Sequence, residues 1–281
     1  MRYLLPFLLL LSMNVVSQEA LNVMTFNIRY STPADGVNQW DNRKDFVAQT
    51  VQFYEADLCG MQEALYSQIT DLQERLPQYG WVGVGRDDGD KKGEFSPVFY
   101  LKKRFELIET NTFWLNEHPE IVGYGWDARF NRVVTWAKLL DKSTQKEVII
   151  FNTHFDHQGE IARRESAKLV LNKVKEIAGN TPFVVTGDFN ATPSQEPIQV
   201  LTDKSKDFHF VSSENLSQTP HFGPNGTFTG FKEKERDNEP IDYVFVSEKN
   251  AEVLKHATLS NTWGGLYASD HFAVMATLRF R

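Results

Sequence analysis

The sequence predicts an α+β fold with β-sheets at its centre, and three observations carry that expectation. Strand-like and helix-like apolar patterns alternate along the 281 residues, a run of consecutive strand patterns fills the middle, and no Pro/Gly/Ser-rich linker divides the chain.

Residues 1–17 read as a cleavable leader. Arg2 supplies a short positive start, and Leu4 to Leu11 form an apolar run broken only by Pro6. Val15-Val16-Ser17 then places small residues where a signal peptidase cuts, before Gln18. The run is too short for a permanent membrane helix, and no cysteine lies near the cut to carry a lipid anchor. The expectation is a secreted or periplasmic protein cut after Ser17, with residues 18–281 as one domain and no stable membrane anchor.

Leu21 to Ile28 reads as the first strand. Asp41 to Glu55 follows as an amphipathic helix with Phe46, Val47, Val51 and Tyr54 facing inward. Asp57 to Gln62 is a short buried strand, and a helix covers Tyr66 to Arg75. Strands are expected next at 79–85, 95–101, 104–114, 131–140 and 147–153, the last two joined by a turn at Asp141-Lys142-Ser143-Thr144. A helix over Glu160 to Ala178 precedes a strand at 182–187, and strands near 241–246, 251–259 and 271–280 complete the chain. Polar or Gly/Trp-rich loops at 86–94, 115–127 and 213–226 belong at a rim.

Composition narrows the function. A hydrophobic fraction of 41% is enough for a core and excludes a disordered chain. The single cysteine, Cys59, excludes an internal disulfide and a cysteine-ligated zinc site. The 30 basic against 37 acidic residues give a charge of −7, and loss of Arg2 with the leader makes it −8. Long duplex contacts usually neutralise roughly six to ten phosphates, so duplex DNA is a poor partner for this chain.

Chemistry-bearing residues collect at the strand ends. The first strand ends in Thr25-Phe26-Asn27-Ile28-Arg29, and the second in Gln62-Glu63. The strand at 147–153 runs into His154-Phe155-Asp156-His157, and that at 182–187 into Asp188-Phe189-Asn190. The late strands open with Ile241-Asp242-Tyr243 and Ser269-Asp270-His271. Singly, each of these is a turn or cap residue. Convergence of all six ends would make an oxygen-rich pocket with two histidines, a donor set that suits Mg²⁺, Mn²⁺ or Ca²⁺ better than zinc.

These residues, in this order, resemble the endonuclease/exonuclease/phosphatase superfamily, whose fold is that of pancreatic deoxyribonuclease. The resemblance runs from Asn27 to His271, nearly the whole mature chain. It implies a four-layer sandwich of two central mixed β-sheets flanked by helices, and a metal-dependent hydrolase acting on phosphate esters with Mg²⁺ or Mn²⁺. It also implies Asn27, Glu63 and Asp270 around the metal, with Asp188 and Asn190 holding the attacking water and the phosphoryl oxygens. Asp188 is the favoured general base. His154 donates to a phosphate oxygen, while His271, oriented by Asp242, contacts the phosphate or leaving group. None of the expected positions is lost, which favours an enzyme over a non-catalytic ligand-binding member of the fold.

Asp156 and His157 either shape the substrate pocket or form a salt-bridged helix entry with Arg163 or Arg164. Trp81 and Trp136 read as core. Trp40, Trp114, Trp126 and Trp263 lie in or beside loops, where an indole stacks on a base or sugar or pins the loop to the body. The mixed-sign loop from Arg86 to Glu94 reads as a solvated hairpin tip. Positive charge near the site is expected from Arg29, Arg43, Arg163 and Arg164. The expected partner is a small or single-stranded phosphate ester, hydrolysed by a monomer, with a secreted nuclease as the alternative.

Overall fold

The computed structural model describes residues 20–232 and 239–281, so the expected leader lies outside the described residues. The first half of the chain forms β1 (Leu21–Asn27), α1 (Trp40–Phe53), β2 (Leu58–Gln62), α2 (Tyr66–Arg75), β3 (Tyr79–Val82), β4 (Val98–Leu101) and β5 (Phe105–Trp114). Next come β6 (Val133–Asp141), β7 (Lys146–His154), α3 (Glu160–Ala178), β8 (Phe183–Asp188), α4 (Glu196–Thr202), β9 (Val211–Ser212) and α5 (Ser213–Leu216). The remainder is β10 (Asp242–Val246), β11 (Ala251–Leu259), β12 (Thr262–Trp263), β13 (Leu266–Tyr267) and β14 (Ala273–Phe280).

Two six-stranded sheets stack face to face, ordered β11-β14-β1-β2-β4-β3 and β5-β6-β7-β8-β10-β9. Both are mixed: β1 runs parallel to β2 and antiparallel to β14, and β7 runs parallel to β8. Apolar residues of α1 and α2 cover the outer face of the first sheet, and those of α3 and α4 cover the second. The result is the four-layer sandwich.

Alternation along each strand sorts its side chains between these layers. In β1, Leu21 and Val23 enter the core between the sheets, while Met24 and Phe26 pack under the helices. In β8, Val184 faces the other sheet, and Phe183 and Val185 face the helices. Further along β1, β2, β7 and β8, the layer between the sheets turns polar. Gln62 Nε2 donates to Thr25 Oγ1 (3.0 Å) and to Asn152 Oδ1 (2.6 Å), and Thr186 Oγ1 donates to the same Asn152 oxygen (3.0 Å). Gly60 makes room for this layer, since a Cβ there would sit 2.1 Å from Thr186 Oγ1. One register step beyond lie Asn27, His154, Asp188 and Asp242, with His154 opposite Asp188 and Asp188 opposite Asp242.

The helices expected at Tyr66–Arg75 and Glu160–Ala178 and the strand expected at 251–259 have those bounds, and the other expected strands are all present with their ends shifted by a few residues. Absent from the sequence expectation are α4, α5, β9, and the β12–β13 hairpin. In α4, Pro197 lies in the first turn, where its missing N–H costs no helical hydrogen bond. The hairpin turns on Gly264 and Gly265, at φ 59° and 88°, a conformation that glycine adopts without strain.

Candidate active site

Asn27, His154, Asp188, Asn190 and His271 are each next in sequence to a phenylalanine, and the pairing has a mechanical consequence. Phe189 is fully buried and packs edge-on against Phe155 (4.8 Å between centroids) and Phe245 (5.2 Å). Burying such a ring is worth about 1.5–3 kcal/mol, so it fixes the chain direction and turns Asp188 to the opposite face. Phe26 beside Asn27, Phe155 beside His154 and Phe272 beside His271 are likewise buried. Just beyond β1, β2 and β8 the backbone then bends through positive φ at Arg29 (55°), Glu63 (61°) and Asn190 (46°). Non-glycine residues rarely take this conformation, and here it aims three polar side chains into one recess.

Asp188 lies at the centre. Its Oδ2 accepts from Asn27 Nδ2 (2.9 Å) and is 3.4 Å from His154 Nε2 and 3.8 Å from His271 Nε2. Its Oδ1 accepts from the Asn190 backbone N–H (2.9 Å). Burial, and then the charge of Asp242, push the Asp188 carboxyl up to about 7. His271 Nδ1 is 2.8 Å from Asp242 Oδ2. Burial opposes a charge on His271, but the carboxylates of Asp242, Asp188 and Asp270 outweigh it and hold the imidazole well above its ordinary value. His154 moves the other way, held well below its ordinary value by burial and by Arg132 and Arg86. The two imidazoles are thus in opposite states near neutral pH, His271 charged and His154 neutral.

Glu63, Asp270 and Asn27 gather beside this core. Glu63 Oε1 accepts from Asn27 Nδ2 (3.1 Å), and Oε2 accepts from the Tyr30 backbone N–H (3.1 Å). Arg29 stands between Glu63 (3.9 Å) and Asp270 (3.8 Å) while donating to Asp35. Asn27 Oδ1 accepts from the Arg29 backbone N–H (3.0 Å), so its amide group bridges the carboxylates of Glu63 and Asp188. Burial, with a contribution from Glu63, raises the Asp270 carboxyl. The donors are all oxygens, and crowded carboxylates of this kind fit a hard divalent cation. The eight residues named for the site therefore share one region: Asn27, Glu63, His154, Asp188, Asn190, Asp242, Asp270 and His271.

The recess has a volume of about 460 Å³, and loops supply the rest of its wall. Arg86, Glu94, Phe130, Arg132, His157 and Phe228 line it and were not singled out as site residues from sequence, His157 excepted. The 86–94 loop is solvated only at its tip. Its base is folded in, with Arg86 Nη1 donating to Glu94 Oε2 (2.6 Å). Arg132 is buried, Nη2 donates to His157 Nδ1 (3.1 Å), and Nη1 has no partner among the described residues. His157 stacks on Phe130 with 5.8 Å between centroids.

The cations differ from those expected. Arg29 lines the recess, but Arg43 is buried behind it, donating to the carbonyls of Ile28, Arg29, Asn38 and Ala268. Arg164 pairs with Glu165, and Arg163 reaches only the backbone carbonyl of Asp156. The Asp156 carboxylate instead accepts backbone N–H groups of Arg129, Gln158 and Gly159, bracing the wall. Three of the four loop tryptophans are fasteners. Trp40 Nε1 donates to Asp71 (2.7 Å), Trp114 Nε1 donates to the Arg86 carbonyl (2.7 Å), and Trp263 stacks on Phe46 at 4.6 Å. A larger recess of about 610 Å³ lies at the opposite ends of β1 and β2, where Arg104 is paired with Asp57 and Asp141. It holds none of the residues above.

The sequence matches the profile of the Endonuclease/Exonuclease/phosphatase family over residues 24–271. An endonuclease/exonuclease/phosphatase of Bacteroides vulgatus is 41% identical, with a TM-score of 0.89 over 94% of this chain and 100% of that one. The mannosyl-6-phosphatase of Bacteroides thetaiotaomicron is 35% identical, with a TM-score of 0.88 over 92% of this chain and 100% of that one. Nocturnin of Drosophila melanogaster is 23% identical over 278 residues, and the match covers 84% of this chain but only 41% of nocturnin. The converging strand ends, the two-sheet sandwich and the match over most of its length make this chain a member of the Endonuclease/Exonuclease/phosphatase family and a phosphoester hydrolase.

Proposed function

We propose that the protein is a divalent-metal-dependent phosphatase of small phosphate monoesters, sugar phosphates first among them, acting by in-line attack of water. The unpartnered Nη1 of buried Arg132 in a recess of about 460 Å³ carries the substrate assignment. A buried guanidinium nitrogen without an acceptor is costly, and a terminal phosphate dianion supplies that acceptor. The Phe130–His157 stack beside it offers a flat aromatic face for the apolar side of a sugar ring. The 35% identical mannosyl-6-phosphatase supports the same reading.

Glu63 and Asp270 would hold Mg²⁺ or Mn²⁺, with Asn27 keeping Glu63 and Asp188 in place. When bound, the ion supplies positive charge to the phosphoryl oxygens and the leaving group. Asp188 accepts the proton of the attacking water at Oδ2, and Asn190 contacts a phosphoryl oxygen. His154, neutral, accepts from Asn190 Nδ2 at Nε2 and keeps its N–H on Nδ1, unpartnered among the described residues, from which it donates to a second oxygen. His271, kept charged by Asp242, donates to the phosphate or the leaving oxygen. One chain supplies every group, so the enzyme works as a monomer. Secretion after cleavage at Ser17 belongs to the same proposal, and N-terminal sequencing of protein recovered outside the cytoplasm would begin at Gln18.

The test compares kcat/KM for hexose 6-phosphates, bis(4-nitrophenyl) phosphate, single-stranded RNA and plasmid DNA. The monoesters should be preferred, and Arg132→Ala should raise KM for them more than it lowers kcat. Faster cleavage of either nucleic acid would replace the proposal with a secreted nuclease.

A further inference from the structure

Outside the recess, Glu214 in α5, His221 in the loop after it and His256 in β11 each bring one ligand atom within 4.8 Å of the others. The two imidazoles meet through their Nδ1 atoms, 2.8 Å apart. His221 Nε2 lies 3.1 Å from the Pro224 carbonyl oxygen, which can only accept. The His221 proton is therefore on Nε2, and its Nδ1 presents a lone pair towards His256 and Glu214. A metal-ligating histidine has the same arrangement, one nitrogen donating to a carbonyl and the other aimed at the ion. The Glu214 carboxylate has no hydrogen-bond or ion-pair partner among the described residues. His256 is buried while Glu214 and His221 are half-buried, so the cluster has a floor and an opening.

We propose that Glu214, His221 and His256 form a structural Zn²⁺ site, with water as the fourth ligand. Two imidazoles and one carboxylate are a zinc-type donor set, unlike the oxygen donors of Glu63 and Asp270. Zinc–nitrogen bonds of about 2.0–2.1 Å place tetrahedral nitrogens roughly 3.3 Å apart, so the rings need to part by only about 0.5 Å. His256 moves its proton from Nδ1 to Nε2 as the ion binds. The site has a structural purpose. β11 is the edge of the first sheet, and α5 directly follows β9, the edge of the second. The ion therefore clips the two sheet edges together and leaves the phosphate chemistry untouched.

The experiment uses chelator-stripped protein titrated with Zn²⁺, read by native mass spectrometry and thermal melting, alongside His221→Ala and Glu214→Gln. The wild type should bind one more zinc than His221→Ala, and its Tm should rise with zinc more than that of either variant. Substituted Co²⁺ should show tetrahedral visible absorption that His221→Ala lacks, while both variants keep Mg²⁺-supported hydrolysis. Should His221→Ala misfold, the half-buried Glu214→Gln carries the comparison alone. Equal zinc stoichiometry and equal Tm response in wild type and variants would overturn the site and leave only a hydrogen-bonded histidine pair.

Discussion

His271 Nδ1 and Asp242 Oδ2 lie 2.8 Å apart, both buried, and Asp242 also stands opposite Asp188 in the β8–β10 register. One carboxylate thus raises the proton affinity of the proposed donor and of the proposed base together. Asp242→Asn should move both limbs of the pH–rate profile to lower pH, because Asp188 ionises more easily and His271 loses its proton sooner. The rate at the optimum should fall less than in His271→Ala, for which a loss of about 10²–10⁴-fold is expected. Steady-state profiles of the two variants check this.

Stability carries the same signature. The folded-state value of Asp188, about 7, lies above its ordinary 3.8, so its contribution is full below about pH 4 and is lost as pH rises through 7. His271, also raised, acts in the same direction. Metal-free Asp188→Asn should therefore be more stable than wild type at pH 8, by up to about 4 kcal/mol, with the difference closing near pH 4. Denaturant melts at the two pH values read it directly.

Glu63 and Asp270 both lie within ion-pair distance of Arg29. Glu63→Gln should lower turnover by orders of magnitude while leaving Tm unchanged or slightly raised, since it removes one of several crowded charges. Excess chelator should abolish wild-type activity, and Mg²⁺ or Mn²⁺ should restore it. Activity assays paired with thermal melts separate this loss of function from unfolding.

The fold and the inner ring of the site were legible because strand alternation couples them. A residue such as Asp188, ending an apolar strand and followed by Phe189, is assigned to one face by the burial of its neighbour. The outer wall carries no such periodicity. Arg86 and Glu94 sit in a loop of mixed charge, and their 2.6 Å ion pair joins residues that no repeat relates. Arg132 directly precedes β6 and is buried, and the apolar run that follows it carries no signal that the guanidinium turns inward. The cations Arg43, Arg163 and Arg164 were expected at the site because they are near it in sequence, whereas their helices direct them elsewhere.

The polar layer beneath the site yields a stability prediction. Gly60→Ala would place a methyl 2.1 Å from Thr186 Oγ1 and 2.4 Å from Asn152 Oδ1, pressing the sheets apart. Overpacking of this kind costs roughly 1–3 kcal/mol or more, so a marked fall in Tm is expected. Turnover should fall as well, since Asn27 and Asp188 stand on this layer. Melts and assays of the one variant cover both effects.

The central claim is a single in-line displacement at phosphorus by a water whose proton passes to Asp188, with no phosphorylated enzyme. Its most direct measurement is the stereochemical course of hydrolysis of an isotopically chiral phosphorothioate monoester in oxygen-labelled water. Inversion at phosphorus is the predicted result. Net retention would mean two successive displacements through a covalent intermediate, and would contradict the role given to Asp188.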